Sequence, residues 1–168
     1  DAQLDVAQIV PLIRDCAART PGSGWVMVVQ LNAAGFHADR HDLDAILPSR
    51  PLLLWAAAGH DGWVNSAALR LAGINRRSAD PPNGTIARDP EGEPNGFLID
   101  SALELVSRLI EKPGAAERER VLLKTLGDLA QAGITTFMEA NTSEATVRTY
   151  VELARRQLLH AHVSMALG

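Results

Sequence analysis

The sequence has one cysteine, Cys16, in 168 residues. An internal disulfide framework and a cysteine-only zinc cage are therefore excluded. A single thiol suits a reducing, cytoplasmic setting. Aromatic residues make up only 4% of the chain, so the core must rest on Leu, Ile, Val and Ala. Basic residues are outnumbered, 16 Lys and Arg against 20 Asp and Glu, which gives a net charge of −4. With no basic excess to neutralise phosphates, nucleic-acid binding is not expected as a main role. No apolar run approaches the roughly 18 residues that span a bilayer. No charged leader with an apolar segment is present, so no membrane partner is expected. The chain opens on Asp1 rather than Met, as a processed protein or a piece of a longer one would. It also lacks a Gly-x-Ser-x-Gly elbow, which leaves a serine hydrolase of that type unsupported.

What is present reads as an ordinary folded α/β chain, 46% hydrophobic and 21% charged. Leu4, Ile9, Leu12, Ile13 and Cys16 recur at helical spacing over residues 3–19, and Thr20-Pro21-Gly22 stops that helix. Trp25–Leu31 and Pro51–Ala56 are short apolar runs of the kind that form buried strands. Between them a polar stretch holds a short helix near 42–48, with Asp42 as its expected N-cap. Gly59-His60-Asp61-Gly62 predicts a sharp turn, and Asn65 or Ser66 caps a helix over 67–72 that Gly73 closes. Residues 75–96 carry one Pro/Gly/Asp turn after another, with room for hairpin pieces such as Thr85-Ile86-Ala87. Helices are predicted at 98–110, 115–132 and about 143–156, with strands at 134–138 and 162–167. The strand–loop–helix order is that of an α/β fold.

Several stretches, in order, resemble a known family. Gly59-His60-Asp61-Gly62-Trp63-Val64-Asn65-Ser66-Ala67-Ala68-Leu69, followed by Ala72-Gly73-Ile74, resembles the pattern of amidohydrolase family 3. So do Gly22-Ser23-Gly24-Trp25, Asp42-Leu43-Asp44 with Arg50-Pro51, and Gly84-Thr85-Ile86. Arg88-Asp89-Pro90-Glu91-Gly92, Pro94-Asn95-Gly96 and Gly133-Ile134-Thr135-Thr136 complete the set. The family comprises metal-dependent hydrolases of TIM-barrel type, N-substituted formamide deformylases among them. The resemblance implies a partial (β/α)8 barrel segment with an inserted Gly/Pro-rich subdomain. The divisions would be 1–60 (barrel), 61–97 (insert) and 98–168 (barrel). A full barrel takes about 250 residues, more than this chain holds. The family's ligands are a His-x-His, a lysine carboxylate or glutamate, two later histidines and an aspartate. By resemblance these lie outside residues 1–168, so a divalent metal, zinc, belongs to the intact protein and none is expected on this chain.

Each candidate residue has a functional and a structural reading. His60 follows a buried strand, where barrel enzymes place functional side chains; it would bond a substrate carbonyl or shuttle a proton, or else satisfy loop carbonyls. Trp63 would wall a substrate pocket. Asn65 would bond a substrate amide or serve as a plain helix cap. Glu139 follows a strand and would orient a ligand or cap a helix. His160 and His162 would share one face of a strand, as two metal ligands do, but a third ligand is lacking. His37 and His41 sit among carboxylates in a polar loop and read as a solvated cluster. Gly22-Ser23-Gly24 precedes a strand, so it is no phosphate loop. Arg118–Arg120 and Arg155-Arg156 read as solvated helix faces.

The expected function is that of a fragment of a metal-dependent amidohydrolase acting on non-peptide C–N bonds of a small-molecule amide. By resemblance, metal-activated water attacks the carbonyl in the intact protein, and the fragment alone is inactive. The alternative is a non-catalytic α/β ligand-binding or self-associating module. A severed barrel would expose strand edges and apolar faces, so self-association is expected.

Overall fold

A computed structural model describes residues 6–167, so the Leu4 position of the first helix lies outside the described residues. The chain divides into two compact units, Asp1–Glu111 and Lys112–Gly168.

The first unit opens with helix α1, Val6–Arg19. Its buried stripe is narrow and consists of Ile9 and Ile13, one turn apart, whereas Leu12, expected on that stripe, is 62% exposed. Thr20 closes the helix by donating its backbone N–H and its hydroxyl to the Cys16 carbonyl. Arg50 then gathers the loose carbonyls of that end, donating to Ala17 at 3.0 Å, Thr20 at 2.7 Å and Gly24 at 3.0 Å. Helix termini leave such carbonyls without partners, and a guanidinium has donors enough for all three.

Strand β1, Val26–Leu31, pairs in parallel with β2, Leu52–Ala56, with Val26 opposite Leu52. Leu52, Leu53 and Leu54 are fully buried, because both faces of β2 are covered. Helix α2, Arg40–Ile46, lies between them in sequence. Its N-cap is Asp39 and not Asp42. The Asp39 carboxylate accepts from the N–H groups of His41 and Asp42, while the Asp42 carboxylate accepts from the Asp39 N–H at 2.9 Å. The sequence offers a reciprocal capping box there, and Asp42 is its third position.

Strand β3, Asp61–Val64, turns back antiparallel on β2 and pairs on its other side with β5, Pro94–Asp100. Strand β4, Gly84–Arg88, completes a single sheet of order β1-β2-β3-β5-β4. Within the stretch 61–97, β3, β4 and the start of β5 extend the sheet that β1 and β2 begin. Helix α3, Ser66–Ala72, ends on Gly73 in the left-handed conformation. Helix α4, Ser101–Ser107, packs on β4 and β5. One sheet face carries Ile9, Ile13, Leu43, Leu54 and Trp63; the other carries Leu53, Val64, Ile86, Leu98 and Leu103. At the β1 edge Met27 and Val29 are exposed.

The second unit is a compact βαβ. Helix α5, Ala115–Gln131, precedes β6, Thr136–Thr142; helix α6, Glu144–Arg155, then crosses to β7, His162–Leu167, which is parallel to β6. Leu126, Tyr150 and Leu153 form its core, with Phe137 and Val163 packed against them from the strands. The opposite strand face is open, and Met138 on it is 70% exposed. Arg120 and Arg155 are solvated as expected, and Arg156 reaches Glu119 on α5. Arg118 departs from that pattern: it is half-buried, donates to the Pro113 carbonyl, and its Nε has no partner among the described residues. No helix among the described residues is long and apolar enough to cross a membrane.

Candidate functional site

His60 occupies the turn between β2 and β3. Gly59, at φ +83, lets the backbone reverse there, and its carbonyl accepts from the Trp55 indole at 3.2 Å. The antiparallel register that sets Asp61 opposite Ile99 brings Asp100 to His60 from across the sheet. Asp100 N–H donates to the His60 carbonyl at 2.6 Å, and the Asp100 carboxylate lies 3.2 Å from His60 Nδ1. Asp100 adopts φ 50, ψ −125, a conformation a non-glycine residue rarely takes. With Nδ1 facing this carboxylate, Nε2 is the ring nitrogen left to meet a ligand. The pair opens onto a cleft of about 510 Å³ lined by Trp55, Asn83, Ser101 and Glu104. Chemically, this arrangement can accept or return a proton at Nε2 and hydrogen-bond a polar ligand.

Trp63 and Asn65, the other expected site residues of this unit, are not gathered around His60. Trp63 is buried on the opposite sheet face, edge-on to Phe36 at 4.9 Å and stacked with Phe97 at 4.8 Å. It borders a different cleft. Asn65 is fully buried, and every hydrogen-bonding position of its amide is taken by the chain itself. Its Oδ1 accepts from the N–H groups of Leu52 at 3.1 Å and Ala68 at 3.0 Å; its Nδ2 donates to the carbonyls of Leu47 at 2.7 Å and Arg50 at 2.8 Å. No atom remains for a substrate amide, so the cap reading is the one the geometry supports.

Glu139 belongs to the second unit. It is half-buried on the helix side of β6, in a cavity of about 250 Å³ shared with Arg118, Thr146 and Tyr150. Burial, and then the Glu139 charge, push the Tyr150 hydroxyl above its ordinary value of 10.0. The unfolded chain ionises this tyrosine first, so its contribution to stability is complete below about pH 10 and is lost as pH rises through the folded value. Urea midpoints measured from about pH 8 to about pH 11 should fall at the alkaline end, and less so in Tyr150→Phe.

His162 begins β7, whereas His160 lies in the preceding loop beside Leu126 and Ile134. The two do not share a strand face. Asp39 and Asp42, the carboxylates beside His37 and His41 in sequence, are both engaged in the capping box, and His37 lines a cleft that Asp61 also lines. Among the described residues no group of three or more His, Cys, Asp or Glu is placed to hold a metal ion. Asp100, the partner of His60, was not singled out by sequence. The two are 40 residues apart, and only the β3–β5 register joins them.

A model of the amidohydrolase family matches residues 2–167. YtcJ of Bacillus subtilis (strain 168), a candidate amidohydrolase by name, is 32% identical over 131 residues, which cover 76% of this chain and 25% of YtcJ. The N-substituted formamide deformylase of Arthrobacter pascens is 36% identical over 97 residues, covering 55% of this chain and 18% of the deformylase. The crystal structure of an uncharacterized metal-dependent hydrolase from Pyrococcus horikoshii OT3 superposes with a TM-score of 0.57 at 18% identity, over 97% of this chain and 31% of that one. The chain thus spans a third or less of each of these proteins. With the family model matching residues 2–167, this chain belongs to the amidohydrolase family.

Proposed function

We propose that this chain is a segment of a metal-dependent hydrolase that cleaves non-peptide C–N bonds in small linear or cyclic amides. In this reading the parallel pairs β1–β2 and β6–β7 belong to the wall of a (β/α)8 barrel, and β3 to β5 are an elaboration of it. The family implies a divalent metal, with zinc the expected ion. Among the described residues no set of donors forms a centre for it. His60, oriented by Asp100, holds or moves a proton at Nε2, the position a departing amine or a substrate carbonyl would address.

The His60–Asp100 pair facing an open cleft carries this reading. Against a panel of N-substituted formamides and linear and cyclic amides, the longer protein should turn over. His60→Ala should lower kcat by about 10²-fold or more, and Asp100→Asn should lower it by a smaller factor. The 168-residue chain alone should show neither turnover nor stoichiometric metal. Unchanged kcat in the His60 variant would remove the residue from the chemistry. Turnover with tightly held metal by the chain alone would overturn the claim that it is a partial catalyst. Saturable ligand binding by the longer protein without turnover would favour the binding-module alternative.

A further inference from the structure

On the sheet face that carries Trp63, a second cleft of about 360 Å³ opens between β3, β5 and the loop before α2. Its floor is aromatic, with Trp63 held between the edge contact of Phe36 and the stacked ring of Phe97. Asp61 lies two residues before Trp63 on β3, so the strand's alternation turns both side chains to this face. The Asp61 residue is half-buried, and its carboxylate makes no hydrogen bond or ion pair among the described residues. That sets it apart: every other described aspartate of this unit, from Asp15 to Asp100, has a partner. Arg40, which packs against β5 at Gly96, is occupied by the Pro94 carbonyl and by Asp89. Asn95 spends its Oδ1 on the Phe97 N–H and leaves its NH2 for another acceptor.

A partly desolvated carboxylate costs free energy unless a cation or donors meet it. The rings of Phe97 and Trp63 offer an apolar wall for the rest of a ligand. An anionic ligand would be opposed by the carboxylate, and a neutral donor would hydrogen-bond it but leave its charge unbalanced. We propose that this cleft binds an organic ammonium group carried on a flat, apolar body, with the nitrogen at Asp61 and the body against Phe97 and the rim of Trp63. The inference stands apart from the hydrolytic reading, because it concerns binding by this chain and needs no turnover.

The probe is 2-phenylethylammonium, titrated into the chain by calorimetry, with 2-phenylethanol as its neutral counterpart and phenylacetate as the anion. The ammonium should bind saturably at one site, about tenfold more tightly than the alcohol, and phenylacetate should not bind. Asp61→Asn should reduce the ammonium's affinity by about tenfold and leave that of 2-phenylethanol unchanged. Because Asp61 has no partner to lose among the described residues, the variant should keep the wild-type circular dichroism and urea midpoint. Equal binding of ammonium and alcohol, an Asp61→Asn variant that binds the ammonium as wild type does, or no saturable binding at millimolar probe would each overturn the proposal. Should Asp61→Asn misfold, the comparison of the three probes on the wild-type chain decides alone.

Discussion

Replacing Asn65 with alanine should destabilise the first unit by about 3–5 kcal/mol, read as a drop in urea midpoint. The deletion strands four backbone groups. The N–H groups of Leu52 and Ala68 lose their acceptor, and the carbonyls of Leu47 and Arg50 lose their donor. Asn65 is fully buried, so water cannot substitute without a rearrangement. Each unsatisfied buried group costs about 1–3 kcal/mol, and the loss of a helix cap is included in the Ala68 contact. Asp at the same position is a sharper test. It keeps the cap acceptor but turns a second oxygen toward two carbonyl oxygens, and it buries a charge. Asn65→Asp should therefore be at least as unstable as the alanine variant near neutral pH. A substrate-binding role predicts the reverse pattern, a changed KM with an unchanged midpoint. A loss below about 1 kcal/mol for Asn65→Ala would refute the hydrogen-bond set described for this residue.

The same residue shows why the sequence resemblance was informative about architecture and less so about chemistry. Arg50, Asn65 and Gly96 all fall in the family-like stretches, and all three act as fasteners. Arg50 collects the carbonyls at the end of α1, and Asn65 ties the start of β2 to α3 and to the segment after α2. Such residues are constrained in identity by local geometry, so they leave an ordered signature. The apolar run that became β2 was legible because a strand buried on both faces needs no alternation, whereas β1, read the same way, is an edge strand with Met27 and Val29 exposed. Strand β3 was not legible. Asp61-Gly62-Trp63-Val64 is four residues long, contains a glycine and follows turn residues, and its extended state is imposed by pairing with β2 on one side and β5 on the other. For the same reason the His60–Asp100 pair was half visible: the histidine had a turn to mark it, and the aspartate had only a register. Asp39 was passed over for Asp42 because the polar stretch before α2 offers several carboxylates, and only the backbone geometry distinguishes the cap from the third position.

Gly96→Ala should be comparably severe, at about 3–5 kcal/mol, and for a reason distinct from hydrogen bonding. Gly96 sits at φ +100, outside the range that L-residues adopt readily. A Cβ placed there would stand 2.5 Å from the Val64 carbonyl oxygen, 3.0 Å from the Arg40 nitrogen and 3.1 Å from the Arg40 Cβ. Two of these atoms are backbone, one in β3 and one at the first residue of α2, so no flexible side chain can swing aside. Relief requires α2 and β5 to move apart, and Phe97, which stacks on Trp63, is the next residue in β5. Gly59→Ala is the internal control. Gly59 also has positive φ, +83, but a Cβ there meets nothing within 4 Å, so only the backbone strain of about 1–2 kcal/mol applies. The difference between the two variants measures the close approach of α2 to the sheet. It should exceed about 1.5 kcal/mol, and it should be accompanied by a change in near-ultraviolet dichroism that Gly59→Ala does not produce. Equal losses in the two variants would mean that α2 does not pack against β5 at Gly96, and the aromatic floor built on that packing would go with it.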